Sequence, residues 1–267
     1  MKKYISLFRI RFSNSIQYRL AAFAGVATQF AWGFMLILMF SAFYRTNPDV
    51  FPMEFPHLVS YIWIQQAFLA LFMVWMWDND IYGAIESGSI AYELVRPIDL
   101  YNRWFCQSVA NRVARAVLRC LPILLVVVVL PEPFRMSLPP DMMQFLWFFI
   151  SMVLALGVIV AFSMLIIISV FYTLSGTGLR FMLMIVGDFL AGAIIPIPFF
   201  PDGVRQVVSL LPFAAMQNMP LRIYSGDIAG VDIYHGILLQ VFWLIVLVGY
   251  GRFAMSRALK KVIVQGG

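Results

Sequence analysis

Asp188 is the one acid set inside a long apolar stretch of this 267-residue chain, and Arg112, Arg115 and Arg119 recur at i, i+3 and i+7 on another. A carboxylate in hydrocarbon costs at least about 2.5–3.5 kcal/mol unless it is paired, hydrated or protonated. Two active roles follow. Asp188 pairs with Arg119 or Arg115 and locks two helices together, or it lines a wet path through the bundle. The remaining reading is a lone protonated acid, with Arg112 and Arg115 snorkelling to headgroups.

A second concentration of ionisable groups lies at 78–103, where Asp78, Asp80, Glu86, Glu93 and Asp99 outnumber the bases. Other chemistry has little foothold. His57 and His235 stand in no His-Glu-x-x-His or Cys-x-x-Cys setting, so no metal site is expected. No Gly-x-Ser-x-Gly occurs, which removes the usual serine hydrolase signature. No glycine is followed by lysine, so a phosphate-cradling P-loop is absent and no ATP site is expected in this chain. Cys106 and Cys120 fall on one helical segment about 21 Å apart, beyond the reach of a disulfide. The chain is not read as an enzyme.

The elements that position these groups follow from composition. Hydrophobic residues make up 62% and charged residues 12%, against about 25% charged in soluble domains. Six apolar segments are expected to span a membrane: within 20–44, 58–77, 116–131, from 142 onward, from 180 to the prolines at 196–201, and 233–251. Residues 142–179 carry no charge, so the fourth span tilts, bends near Gly157, or continues past the bilayer. Of the 19 Lys and Arg, only Arg45, Arg135, Arg205 and Arg222 fall outside if the N-terminus is cytoplasmic. Short basic loops stay cytoplasmic, which puts both termini inside. That topology accounts for the net charge of +6 without nucleic acid, and suits contact with anionic membrane lipids.

The expected organisation has three parts. Residues 1–19 form a cytoplasmic amphipathic helix, with Ile5, Phe8, Phe12 and Ile16 at helical spacing. Residues 20–252 form the six-span domain, and 253–267 a cytoplasmic tail. The first outer loop carries Asn47-Pro48-Asp49, and Trp75 and Trp77 close span two as an aromatic belt. Ser175-Gly176-Thr177-Gly178 ends span four by turn chemistry. Residues 196–222 are too polar and too broken by proline for a lipid-exposed span. They are expected to be short helices that dip into the outer leaflet and return. Ala21-x-x-x-Gly25 and Gly187-x-x-x-Ala191 would allow close helix contact.

Two segments carry a resemblance. One is Glu86-x-Gly88-x-Ile90-x-x-x-Leu94-x-x-Pro97, in which Gly88 can separate two short helices and Pro97 stops the second. The other is Ile195-Pro196-Ile197-Pro198-Phe199-Phe200-Pro201, followed by Leu211-Pro212-Phe213 and Pro220. With the topology, these resemble the membrane subunit of ABC-2-type exporters, the compact six-span permeases of the bacterial inner membrane. The resemblance implies an all-α polytopic fold and efflux of a drug, peptide, lipid or glycan. It also implies partner ATPase subunits, which would hold the ATP and magnesium, and a second permease subunit, identical or homologous. It makes Asp80, Glu86, Gly88, Glu93, Arg96 and Pro97 the ATPase-coupling residues of loop 78–103, and Pro196, Pro198, Pro201, Pro212 and Pro220 the breaks that shape an outer gate. A secondary carrier, or a membrane scaffold or sensor without transport of its own, is the alternative.

Overall fold

A computed structural model describes residues 2–17, 19–46, 51–75, 78–173 and 176–260. Asn47-Pro48-Asp49, Trp77, Ser175 and residues 261–267 of the tail lie outside the described residues. Twelve helices and no strand occur among those described. In chain order these are α1 (Lys2–Ile16), α2 (Arg19–Thr46), α3 (Phe55–Ala67), α4 (Leu69–Phe72), α5 (Asn79–Glu86) and α6 (Ala91–Leu94). Then come α7 (Leu100–Val127), α8 (Met142–Ser169), α9 (Gly176–Leu190), α10 (Asp202–Leu210), α11 (Met219–Ser225) and α12 (Val231–Leu259).

Among the described residues, three stretches are long and apolar enough to cross a membrane: Phe23–Thr46, Met142–Tyr172 and Val231–Leu259. The other expected spans differ for physical reasons. Span two is divided into α3 and α4 at Phe68. Span three is the outer part of α7, a continuous helix that also carries Arg103, Arg112, Arg115 and Arg119. Span five is α9, 15 residues or about 22 Å long, short of the roughly 30 Å apolar layer.

Local chemistry starts the long helices. Asp99 accepts from the amide of Asn102 at 2.8 Å and caps α7, and Asp141 accepts from that of Gln144 at 2.6 Å and caps α8. Pro56, in the first turn of α3, gives up an amide that has no helical partner there. Of the three alternatives for the fourth span, the bend near Gly157 is not found, since α8 runs unbroken through it. A side chain at Gly157 would meet Leu244 Cδ1 of α12 at 2.9 Å, so the glycine serves close packing instead.

Burial divides the bundle into stacked cores. The largest joins α2, α3, α4, α7, α8 and α11 around Ile37, Trp63, Ile123 and Phe148. A second packs Ile81, Tyr82 and Ile90 of the 78–103 segment against Tyr101, Trp104, Met164, Ile168 and Met255. A third gathers α8, α9 and α12 around Val158, Ile159 and Ala191. The amphipathic α1 forms as expected but docks on α7. Cys106 Sγ donates to the Tyr4 carbonyl at 3.4 Å, and Ser15 Oγ donates to Asn111 Oδ1 at 3.1 Å. Its seated face includes Phe8 and Phe12, whose rings stack at 5.8 Å, whereas Ile5 and Ile10 stay exposed.

Candidate functional site

The 78–103 segment folds as two short helices laid across the ends of α7, α8 and α12. In α5, Ile81 and Tyr82 turn inward while Asp80, Gly83 and Glu86 face out. Ser87 Oγ donates to the Gly83 carbonyl at 2.6 Å and accepts from Ser89 Oγ at 2.9 Å, closing the turn. Gly88 adopts φ +73°, the left-handed conformation that favours glycine. An added Cβ there meets nothing within 4 Å, so backbone conformation alone selects the residue. Arg96 and Pro97 follow α6 and are exposed.

The acids of this segment are mostly taken up within the chain. Asp78 Oδ2 accepts from Gln107 Nε2 at 2.7 Å and Asn111 Nδ2 at 3.0 Å. Asp80 pairs with Arg11 of α1 at 3.0 Å. Glu93 turns inward, pairing with Arg103 at 2.7 Å and accepting from Trp104 Nε1 at 2.8 Å. Lys3 Nζ donates to the Pro97 carbonyl at 3.2 Å. Glu86 alone among these acids has no hydrogen bond or ion pair among the described residues. Sequence reasoning missed the receptors, Arg103, Gln107 and Asn111. Their spacing of four, one polar stripe on an amphipathic helix, was the available signal. It also missed the apolar tip, where Tyr92 is 77% and Val95 81% exposed.

Burial sets the electrostatics beneath this surface. It pushes the Tyr101 phenol up to about 12, with Arg252 opposing the shift. Tyr82 is raised by burial too, against the opposing pull of Arg180, whose guanidinium lies 4.2 Å from the ring centre. Both phenols are therefore neutral at physiological pH.

Asp188 does not pair with Arg119 or Arg115. Among the described residues its Oδ1 accepts from the Val74 amide at 3.3 Å, and Arg112 is the arginine whose charge acts on it. Arg112 does not snorkel either. It is fully buried and donates Nη1 to the carbonyls of Leu71 at 3.0 Å and Met73 at 2.7 Å, and Nη2 to Ser163 Oγ at 3.1 Å. Helix C-termini leave carbonyls unpaired and carry partial negative charge. The end of α4 therefore takes the arginine, and the neighbouring Val74 amide takes the acid.

On the opposite side of the bundle, buried glutamines serve broken backbone. Gln65 donates to the Ala193 carbonyl at 2.9 Å, and Gln217 to that of Ala191 at 3.3 Å, where α9 has ended. Gln144 donates to Ile223 and Ile228 around the end of α11. Gln240 donates to Ser151 at 3.2 Å and to Ala215 at 3.0 Å, beside the non-helical Met216. Irregular backbone at membrane depth persists only where protein re-satisfies it. The prolines sit along this path: Pro196, Pro198 and Pro220 are buried, Pro212 is half-buried and Pro201 exposed. Phe199, between two of them, meets the rings of Phe40 at 5.3 Å and Phe51 at 6.0 Å.

No curated protein matches the chain. The family model described as ABC-2 family transporter protein matches residues 30–266, and the chain belongs to that family of membrane permeases.

Proposed function

We propose that this chain is the membrane permease of an ATP-driven exporter, with ATP hydrolysed on separate subunits that dock on α5 and α6. The observation that carries the reading is the surface left on these helices once their own contacts are made. Glu86, Tyr92, Val95 and Arg96 are exposed there, on a base anchored by Ile81, Tyr82 and Ile90. A mixed patch of aromatic, aliphatic and charged groups on a rigid base suits a protein partner. Gly88 and Pro97 fix the shape of the patch. Glu93 holds it from beneath, and Asp80 ties its edge to Arg11 of α1.

Transmission would run from this patch through Asp78 and the Arg112 cluster to α4, α8 and α9, and outward to the segment broken by Pro196, Pro198, Pro201, Pro212 and Pro220. Two such permeases, identical or homologous, would enclose the path. The bacterial inner membrane, with both termini cytoplasmic, fits this arrangement. A secondary carrier would need a free intramembrane acid, and Asp188 is held by the Val74 amide.

The test is purification of the full chain from native membranes in mild detergent, followed by identification of what accompanies it. A P-loop ATPase should co-purify and be lost on Glu86→Arg or Val95→Asp, with the permease still folded. Recovery of the chain without any ATPase would overturn the proposal.

A further inference from the structure

We infer that Arg115 and Arg119 of α7, against the Gly25 turn of α2, form a binding site for the phosphate group of an anionic amphiphile. The site lies apart from the proposed ATPase contact and does not depend on it.

Arg112, Arg115 and Arg119 share one helical stripe, yet among the described residues Arg112 is the one of the three whose guanidinium donates hydrogen bonds, through Nη1 and Nη2. Arg115 is exposed and Arg119 half-buried. Neither has a carboxylate partner among the described residues, where the ion pairs are Arg11–Asp80, Arg103–Glu93, Arg205–Asp202 and Arg222–Asp227. Burial strips water from the Arg119 guanidinium, and its charged neighbour is Arg115, a like charge. Two cations held together without an anion are a repulsive arrangement that a bound anion would relieve.

The place is built to hold a guanidinium. A Cβ at Gly25 would stand 2.8 Å from Arg119 Cζ and 3.1 Å from its Nε, so the guanidinium lies directly against the α2 backbone and would have to shift to admit a side chain. The Nε is buried and has no hydrogen-bond partner. Gly25 stands two residues into the apolar stretch Phe23–Thr46. That is the depth at which headgroups give way to acyl chains.

A second unsatisfied group lies one turn deeper. Gln29 is 3% exposed, and neither its Nε2 nor its Oε1 has a partner. It occupies the α2 stripe between Gly25, which faces Arg119, and Gly33, which faces Trp63. Four residues along a helix are about 6 Å, and buried amides are rarely left unpaired. A forked guanidinium matches phosphate oxygens, and basic pockets between membrane helices on the cytoplasmic side take anionic headgroups.

The experiment uses the full chain in nanodiscs of phosphatidylcholine, with and without phosphatidylglycerol. Bound lipid is read by native mass spectrometry after detergent stripping, and the unfolding midpoint is recorded in parallel. Phosphatidylglycerol should be retained in preference to phosphatidylcholine and should raise the midpoint. Arg119→Gln should weaken retention about tenfold, as expected for loss of a charge-assisted hydrogen bond. Arg115→Gln, at an exposed position that the fold does not need, should also weaken it. Equal stabilisation by inorganic phosphate in phosphatidylcholine discs would keep the site and identify a free phosphate group as its ligand. Retention unchanged in Arg115→Gln and Arg119→Gln would overturn the inference. So would loss of self-association in these variants without loss of lipid, since the anion would then be a carboxylate of another subunit.

Discussion

The guanidinium of Arg112 reaches from α7 to the Met73 carbonyl at 2.7 Å, just past the last residue of α4. The same group holds Leu71 and Ser163, so one side chain joins α4, α7 and α8. Arg112→Met strands the Leu71 and Met73 carbonyls and should lower unfolding stability by about 1–3 kcal/mol, the cost of buried polar groups left without partners. Arg112→Lys should fall between, because an ammonium lacks the fork that spans these acceptors. Thermal unfolding in detergent measures both.

Asp188→Asn keeps an acceptor oxygen for the Val74 amide. Stability should stay within about 1 kcal/mol of the parent, and transport should survive. Asp188→Leu removes the acceptor and should cost about 1–3 kcal/mol. A large loss of transport in a folded Asp188→Asn variant would return the acid to the wet-path reading.

Gln240 is fully buried, accepts from Ser151 Oγ at 3.0 Å and donates to Ser151 and Ala215 carbonyls. Gln240→Leu keeps the volume but strands the Ala215 carbonyl and the Ser151 hydroxyl. The expected cost is about 1–3 kcal/mol, with earlier amide exchange around 214–218 as the local readout.

Tyr101 supplies a pH dependence. Its phenol is raised from 10.0 to about 12 by burial, so the folded state binds the proton more tightly than the unfolded chain does. The stabilisation is complete below the unfolded value of 10.0 and fades as pH rises from there through about 12. Tyr101→Phe should flatten this alkaline loss and cost little near neutrality, since the hydroxyl is buried without a partner. Unfolding midpoints collected across alkaline pH decide it.

Local features were legible in the sequence wherever one segment determined its own shape. The amphipathic α1, the helix break at Gly88 and the proline-broken segment before α12 all follow from periodicity or backbone chemistry. The partners of Asp188 and Arg112 did not follow, because axial depth says nothing about which side of a neighbouring helix a group meets. Arg112 and Arg115 share a stripe, yet three residues along the helix separate the interior from the surface. The end of α4 decided the matter, and Phe68, where span two breaks, has no distinctive sequence signal. The glutamine contacts were equally hidden: Gln65 and Ala193 are 128 residues apart in the chain. The acids of 78–103 were noticed as a group, but which of them remained for a partner depended on Arg103, Gln107 and Asn111.

The Met142–Tyr172 rod is 31 residues long, or about 46 Å. Gln144, near one tip, grips α11 through Ile223 and Ile228. Met164, Ile167 and Ile168, near the other, rest against Ile81, Tyr82 and Ile90. With no break at Gly157, one continuous helix links the packing around α11 to that around Ile81, Tyr82 and Ile90, so α8 holds no hinge that would absorb a displacement of either tip.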